Sequence, residues 1–287
     1  SLKNLNSIGK KTSQYKPSPQ IELAGLFNID FSMPFKKKVE NYDNLLTPKL
    51  SFRFNPSDMK DYSLSDNKIN ISNAFALNRL GLSDTLETGK SITLGLDYKN
   101  EKKNDLDQIN NYFELKLATV LRDKEEKFIP NKSTIHKKNS NLFGSITNKF
   151  SNNLDLGYNF SLDNDYSTFE YNDLNATLSI NNFITKFNFI EEHGETGDTN
   201  VIASSFEYII DKKNSFKFQT RRNRKLSLTE YYDLVYEYKN DCLTAGIKYK
   251  KSYYADRDLQ PTENLLFTIS LFPLTTYEYE ANDILDQ

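Results

Sequence analysis

Two short polar segments in the second half of the chain carry the side chains best suited to binding an ion. The densest group of positive charges is the basic run, Arg221, Arg222, Arg224 and Lys225. Guanidinium groups match phosphate oxygens with two parallel hydrogen bonds, so the basic run is a candidate phosphate contact. The acidic segment Glu191–Asp198 places carboxylates beside His193 and could hold a divalent cation through oxygen ligands. A solvated loop would give either pattern, and that alternative stays open for both segments.

No combination of residues in the sequence indicates an enzyme. His136 and His193 are far apart and lack the partners of a catalytic triad or a zinc site. Glu191 and Glu192 are adjacent, and adjacent residues of a strand point to opposite faces. We therefore expect no catalytic residue, no cofactor and no metal. The formal net charge of -2 argues against a nucleic-acid partner bound through phosphate neutralisation.

The elements that carry these segments are β-strands, and the clearest pair is the hairpin from Cys242 to Leu274. Apolar residues alternate with polar ones before and after the polar loop 255–263; they are Leu243, Ala245, Ile247, Tyr249, Leu265, Phe267, Ile269 and Leu271. Side chains of a strand point alternately to opposite faces, so each half has one apolar and one polar face. Each half is about ten residues long, which is the length of a tilted strand that crosses a bilayer.

The same alternation predicts roughly fourteen antiparallel strands along the chain. They cover residues 21–33, 50–54, 92–98, 111–121, 140–150, 153–163, 167–180, 182–191, 201–210, 215–222, 229–238, 242–253 and 264–272, while 68–77 is ambiguous between strand and irregular structure. Pro34 is expected to stop the first strand. No apolar run approaches the length of a membrane-spanning helix.

The connections between the predicted strands alternate between short and long. Residues 239–241 and 211–214 are short, whereas 223–228 and 192–200 are longer. Bacterial outer-membrane barrels have short periplasmic turns and longer external loops, whereas a soluble sandwich has no reason to sort its loops in this way. One predicted connection breaks the rule, because 99–110 is long where a short turn is expected.

These patterns predict an all-β fold, namely an antiparallel transmembrane β-barrel of which this chain is the C-terminal portion. We interpret residues 1–18 as a loop or the end of a preceding barrel element, 19–274 as barrel, and 275–287 as a periplasmic tail. The sequence begins with Ser1 and shows no leader, which fits a C-terminal piece. Two alternatives remain: another outer-membrane barrel, such as a porin or receptor, and a soluble all-β binding module. The mean hydropathy of -0.67 is compatible with all three.

Two stretches of the sequence resemble a known family. "NDCLTAGIKYKKSYY…ENLLFTISLFPL" resembles the C-terminal end of the LPS-assembly outer-membrane protein, the LptD family. "FALNRLGLSDTLETGKSITLGLDY" (Phe75–Tyr98) resembles the family's Asn-Arg, Gly, Asp stretch that leads into a strand. The resemblance implies a translocon in the cell outer membrane that assembles lipopolysaccharide into the outer leaflet. It also implies four partners: lipopolysaccharide, a lipoprotein that plugs the lumen, periplasmic bridge proteins bound through a missing N-terminal domain, and the barrel-assembly machinery.

The resemblance assigns expected roles to three groups of residues. Cys242 is expected to form a disulfide with a cysteine outside this segment. The last strand is expected to form one wall of a lateral gate by pairing with the first strand of the complete barrel; its residues are Asn264, Leu265, Phe267, Thr268, Ile269, Ser270 and Leu271. Leu266 stands where the family tends to have Gly. The basic run lies on the predicted external side, where lipopolysaccharide presents phosphates.

Overall fold

The computed structural model describes residues 2–7, 20–103, 109–151, 153–254, 260–271 and 275–280. Within them the regular structure is β-sheet, apart from one turn of 3-10 helix at Asn131–Ser133. The strands are β1 (Leu2–Ser7), β2 (Gln20–Gly25), β3 (Phe27–Ser32), β4 (Phe35–Val39), β5 (Tyr42–Asn55), β6 (Gly89–Lys103), β7 (Ile109–Arg122), β8 (Leu142–Ser151), β9 (Leu154–Leu162), β10 (Phe169–Ile180), β11 (Phe183–Glu192), β12 (Thr199–Ile209), β13 (Asn214–Asn223), β14 (Leu228–Lys239), β15 (Leu243–Ser252), β16 (Thr262–Leu271) and β17 (Thr275–Glu280).

The sheet topology follows the order of the chain. β1 and β2 form a two-stranded antiparallel sheet, and β3 to β17 form a fifteen-stranded sheet in which β4 pairs only with β5. An antiparallel all-β fold is therefore confirmed. In the described part of the chain, no helix is long and apolar enough to cross a membrane.

The chain divides into two compact units. Unit 1 comprises residues 1–149, 157–172 and 192–198, and unit 2 comprises residues 150–156, 173–191 and 199–287. Unit 1 contains β1 to β7 and the long connections 56–88 and 123–141. Unit 2 contains β13 to β17 with their turns.

The sheet of unit 1 buries its polar face and exposes its apolar face. Along β5, Ser51, Arg53 and Asn55 are buried, whereas Phe52 and Phe54 remain 43% and 40% exposed. A half-buried soluble sheet has the opposite arrangement, with apolar side chains inside and polar ones in water. The exposed apolar face therefore requires an apolar environment from outside the sheet.

Unit 2 carries a row of aromatic rings on the apolar side of its strands. The centroids of successive rings lie 6.1 to 6.4 Å apart along the row Phe183, Phe206, Phe218, Tyr232 and Tyr253. Neighbouring rings on adjacent strands stabilise a sheet through contacts at this separation. The row arises because the alternating aromatic residues of these strands are held in register by the backbone ladder.

β3 ends at Ser32, so the strand stops before Pro34 as expected, and β4 begins at Phe35. Ser32 faces Lys49 and Phe35 faces Leu46, so β3 and β4 follow one line along β5 without a change of register. Pro34 has no N–H to donate to the ladder, and this lack interrupts the pairing only locally. The predicted segment 21–33 is also divided earlier, since β2 pairs with β1 and β3 pairs with β5.

The one predicted connection that broke the alternation of short and long loops is shorter than expected. β6 extends to Lys103 and β7 begins at Ile109, so the connection is residues 104–108. The added end of β6, residues 99–103, is entirely polar, which is why the apolar alternation did not reveal it. The neighbouring connections 56–88 and 123–141 are long, in agreement with the predicted rule.

Three further regions of the chain need description. Leu2–Ser7 and Thr275–Glu280 form strands β1 and β17, while the assignment of residues 1–18 to a loop or the end of a preceding barrel element, and of 275–287 to a periplasmic tail, stays a prediction. Residues 68–77, which are ambiguous in the sequence, contain no strand: 68–70 are irregular, and turns and a bend follow at 71–77. Phe272, the last residue of the predicted terminal strand, lies outside the described residues, as do 8–19 and 281–287.

Candidate functional site

The long connection 56–88 is folded against the polar face of unit 1. Pro56 follows the end of β5, and β6 begins at Gly89, whose φ of +86° suits glycine. Short polar side chains build the turns between these points: Asn67 donates to the Leu80 carbonyl at 2.8 Å, and Asn78 accepts from the Leu82 N–H at 3.1 Å. The connection is therefore a folded element, which we call the β5–β6 loop.

A small apolar core joins this loop to the strands beneath it. Its buried members come from the β5–β6 loop, from β7, β8 and from connection 123–141; they are Met59, Ile69, Ala74, Leu80, Leu82, Ala118, Val120, Ile129, Ile135 and Phe143. Phe75 packs at the edge of this core, where the ideal Cβ position of Gly95 lies only 2.5 Å from its ring. Only glycine leaves room for the ring there.

An ionic cluster pins the loop at its centre. Arg79 is 2% exposed and binds the carboxylate of Glu87 through Nε at 2.7 Å and Nη2 at 2.5 Å. The same guanidinium donates to Ser91 and Thr93 on the polar face of β6, at 3.0 and 2.9 Å. One loop side chain therefore connects the end of the loop to the sheet.

Two further arginines complete what we call the arginine cluster. Arg122 of β7 donates from Nη2 to Glu87 and from Nε to the Ile135 carbonyl at 2.6 Å. Arg53 of β5 donates to the carbonyls of Ala76 and Leu77 at 2.6 and 2.7 Å. Both long connections are thus held by guanidinium groups that project from strands.

The electrostatics of this cluster keep Glu87 ionised. Burial alone would raise the pKa of this carboxyl, but the charges of Arg79 and Arg122 outweigh burial and lower it from 4.5 to about 2. Three buried guanidinium groups surround a single carboxylate. The three guanidinium groups have more N–H donors than one carboxylate can accept, and hydrogen bonds to backbone carbonyls satisfy others of these donors.

This arrangement is suited to holding a loop rather than to performing a reaction. The donors of the arginine cluster are engaged by Glu87, by hydroxyl groups and by carbonyls. Among the described residues, no group of three or more His, Cys, Asp or Glu side chains could hold a metal ion. The site resembles a structural clasp over the polar face of the sheet.

The structure disperses the carboxylates of the acidic segment Glu191–Asp198. Glu192 binds Lys68 at 2.6 Å, Glu195 binds Lys137 at 2.9 Å, and Glu191 accepts from Asn200 at 2.8 Å. The carboxylates are used one by one as partners of neighbouring polar groups. A shared cation site therefore has no support in this geometry.

The basic run spans the end of β13 and the following turn. Nε of Arg221 binds Glu230 at 2.8 Å, and Arg222 follows on the opposite face of the strand. Arg224 lies in the turn, with its guanidinium 5.8 Å from the centroid of the Phe189 ring. Arg221 and Arg224 therefore have different neighbours, and the contact of the basic run with phosphate stays a prediction.

The predicted gate strand corresponds to β16, and it is not the last strand of the sheet. β15 pairs with one edge of β16 along its whole length, from Leu243 opposite Leu271 to Ser252 opposite Thr262. β17 covers the other edge only from Leu266 to Leu271. Along the remaining part of that edge, β17 provides no partner. The lateral gate itself remains a prediction.

Cys242 lies exposed in the turn before β15. Its N–H donates to Asn240 Oδ1 at 3.0 Å, which fixes the turn. Since Cys242 is the single cysteine of the chain, a bridge requires a partner outside it. The exposure is compatible with the predicted disulfide and does not test it.

The arginine cluster is the feature that reasoning from sequence missed. Arg79 and Glu87 lie inside the segment Phe75–Tyr98 that carries the second resemblance, but their spacing gave no sign of a shared partner. Arg53 lies at a polar position of a predicted strand, and Arg122 directly follows the predicted strand 111–121. A charged residue at such a position is also typical of a solvated face, so only the fold brings the four together.

Comparisons with known proteins add one strong match and several weak ones. Residues 10–196 match the family model of LptD, LPS transport system D. No match was found among curated proteins. A mutant of the porin from Rh. blastica is 9% identical with a TM-score of 0.41, covering 98% of this chain and 92% of the porin. A triple mutant of the Rhodopseudomonas blastica porin is 8% identical with the same TM-score and coverage. These TM-scores are too low to support an argument.

Proposed function

The chain belongs to the LptD family, LPS transport system D, and from this membership we propose that it forms part of the translocon that assembles lipopolysaccharide into the outer leaflet. It is a protein of the outer membrane, and lipopolysaccharide and other components of its transport are its partners in general terms. The family match over residues 10–196 carries the proposal. In the proposed role the chain moves a lipid and performs no reaction of its own.

The inside-out sheet of unit 1 supports a role in transport across a membrane. Exposed side chains such as Phe52 and Phe54 suit hydrocarbon, whereas the polar face suits a hydrophilic lumen. The β5–β6 loop covers that polar face and would restrict passage along it. A soluble binding module would need the opposite arrangement, and outer-membrane location removes that alternative.

We propose the C-terminal edge of the sheet, β16 with β17, as one wall of the lateral gate. β17 is short and holds β16 through six facing pairs, from Leu266 with Glu280 to Leu271 with Thr275. Beyond them, the edge of β16 from Thr262 to Leu265 is left for another strand. In a complete barrel, the first strand would meet this edge and close the wall. A partly covered edge supports a seam that opens at low cost.

The specific partners belong to the same proposal. A plugging lipoprotein would occupy the lumen, and periplasmic bridge proteins would deliver the lipid through an N-terminal domain joined to Cys242 by a disulfide. The barrel-assembly machinery would read the terminal strands. Co-purification of a lipoprotein with the complete protein tests the first of these contacts, since a porin or receptor would not retain it.

Depletion of the complete protein from cells tests the proposed function. Lipopolysaccharide at the cell surface is expected to fall while the total cellular amount is maintained, as measured by labelling intact and lysed cells. Unchanged surface lipopolysaccharide after depletion would contradict the proposal. An unrelated outer-membrane protein depleted in parallel controls for general damage to the envelope.

A disulfide across the proposed gate wall tests the seam. A cysteine at Asn264, on the part of the β16 edge that β17 leaves uncovered, paired with a cysteine at the facing position of the first strand of the complete barrel, would lock that seam. The matched control is Glu207→Cys with Lys217→Cys, which joins the facing residues of β12 and β13 inside the sheet. We expect the first pair to block export and the second to leave it unchanged. Normal export with the first bridge fully formed would place the moving seam elsewhere.

A further inference from the structure

The apolar face of unit 1 contains a groove of about 530 Å³. Two rows of facing residues form it across the strands: Phe27 with Phe54, and Ile29 with Phe52, Ile92 and Leu121. The rings of Phe27 and Phe54 stack with centroids 6.4 Å apart. Its volume falls within the range of about 300–1,000 Å³ typical of ligand sites. The groove is therefore large enough to hold part of a small apolar molecule.

A positive charge lies at one end of the groove. Lys90 faces Phe54 on β6, and its Nζ lies 5.7 Å from the centroid of that ring. Lys90 is exposed, and none of the ion pairs found among the described residues includes it. The guanidinium groups of Arg53 and Arg122, which also border the groove, are engaged on the opposite face of the sheet. Asp123 adds a negative charge at the same rim.

The position of this charge relative to the strands indicates which end of a bound molecule would be anionic. Phe54 and Lys90 lie where β5 ends and β6 begins, beside the long connections 56–88 and 123–141. In the proposed function these connections lie on the external side, so the groove faces the outer leaflet. Its occupant must be apolar along the two rows and anionic near Lys90. A phosphorylated lipid has this arrangement.

We propose that this groove binds lipopolysaccharide on the outer wall, with an acyl chain along Phe27, Ile29 and Phe52 and a phosphate beside Lys90. The proposal rests on the outer-leaflet orientation in the proposed function. It adds a site that is separate from the lumen and from the edge formed by β16 and β17. Such a site would hold lipid against the finished wall rather than conduct it.

Site-specific photocrosslinking in the complete protein tests the groove. A photoreactive phenylalanine analogue replaces Phe54 in the groove or, as a matched control, Phe206 in unit 2, which is 39% exposed compared with 40% for Phe54. The protein is reconstituted in bilayers of phosphatidylethanolamine with purified lipopolysaccharide, and cross-linked lipopolysaccharide is quantified. We expect more cross-linking at position 54 than at position 206.

Substitution of the lysine separates a specific site from general lipid contact. Lys90→Gln is expected to lower cross-linking at position 54 about fivefold, since one lysine near anionic lipid contributes about that factor. Lys90→Arg should preserve it, and cross-linking at position 206 should not respond to either change. Heat-modifiable migration confirms that each variant is folded.

Three results would overturn the proposal. They are equal cross-linking at positions 54 and 206, no effect of Lys90→Gln, and competition by phosphatidylglycerol as strong as that by lipopolysaccharide. The loss of surface lipopolysaccharide on depletion is measured without any change to the groove, so it tests the proposed function independently of this proposal.

Discussion

Replacement of Glu87 by Gln should release the β5–β6 loop from the sheet. The variant leaves the buried guanidinium groups of Arg79 and Arg122 without their counter-charge, and removal of one partner from a buried ion pair costs about 3–5 kcal/mol. The pKa of Glu87 gives a similar magnitude, because its decrease from 4.5 to about 2 corresponds to about 3 kcal/mol. A loss of about 3 kcal/mol raises the population of the open loop roughly a hundredfold.

Limited proteolysis of the complete protein in detergent measures that population. When a loop opens and closes faster than it is cut, the cleavage rate follows the fraction of open molecules. Cleavage between residues 56 and 88 in Glu87→Gln is therefore expected to be about a hundredfold faster than in the wild type. Asp66→Asn is the matched control, since Asp66 lies in the same loop and its side chain, which binds Lys132, is exposed. Similar cleavage rates for Glu87→Gln and Asp66→Asn would refute the idea that the arginine cluster holds the β5–β6 loop closed.

The same reasoning gives a pH dependence with a definite sign. Because the pKa of Glu87 is lowered in the folded protein, its stabilisation is complete above about pH 4.5 and is lost as the pH falls towards 2. The difference in loop cleavage between the wild type and Glu87→Gln should therefore shrink across that interval. Pepsin, which acts at low pH, makes the comparison possible. A constant difference down to pH 2 would mean that Glu87 does not carry the effect.

Three further predictions address other parts of the chain. Gly95→Ala should speed cleavage of the β5–β6 loop, because the new methyl group displaces the Phe75 ring. Gly246→Ala is the control and should leave the cleavage rate of that loop unchanged; equal cleavage rates for the two variants would contradict the close packing of Phe75 on Gly95. Replacing the four residues of the basic run by Gln should leave heat-modifiable migration unchanged, because exposed charges contribute little to stability. Photocrosslinking of lipopolysaccharide along residues 223–228 should fall, and absence of these cross-links in the wild type would show that the turn is merely solvated. In the full-length protein under non-reducing conditions Cys242 should resist thiol labelling, and quantitative labelling would exclude the predicted disulfide.

The strands were predictable where apolar and polar residues alternate. β9 and β16 agree with their predicted ranges to within two residues, because one face of each is distinctly apolar. The end of β6 was missed since polar residues occupy both of its faces there. β17 was missed although Tyr277 and Tyr279 alternate with acidic residues, because six residues give too short a pattern beside an expected tail.

The site was harder to predict than the fold. The resemblance drew attention to Phe75–Tyr98, but it could not reveal that Arg79 meets Arg122 around Glu87. Those contacts depend on how two long connections fold back on the sheet, and neither connection has a periodic pattern. Long-range ionic contacts have no local signature in a sequence.

The inside-out sheet of unit 1 has a consequence for how this family changes over evolutionary time. Phe52 and Phe54 meet acyl chains, in the proposed groove or in the surrounding bilayer, and these have no fixed shape, so one apolar residue can replace another there with little effect. Ser51, Arg53 and Asn55 lie between them under a packed loop and accept few substitutes. We therefore expect substitution rates along β5 to alternate residue by residue, with the polar positions drifting slowly and the large apolar ones rapidly. In a water-soluble sheet the slow and fast positions would be exchanged.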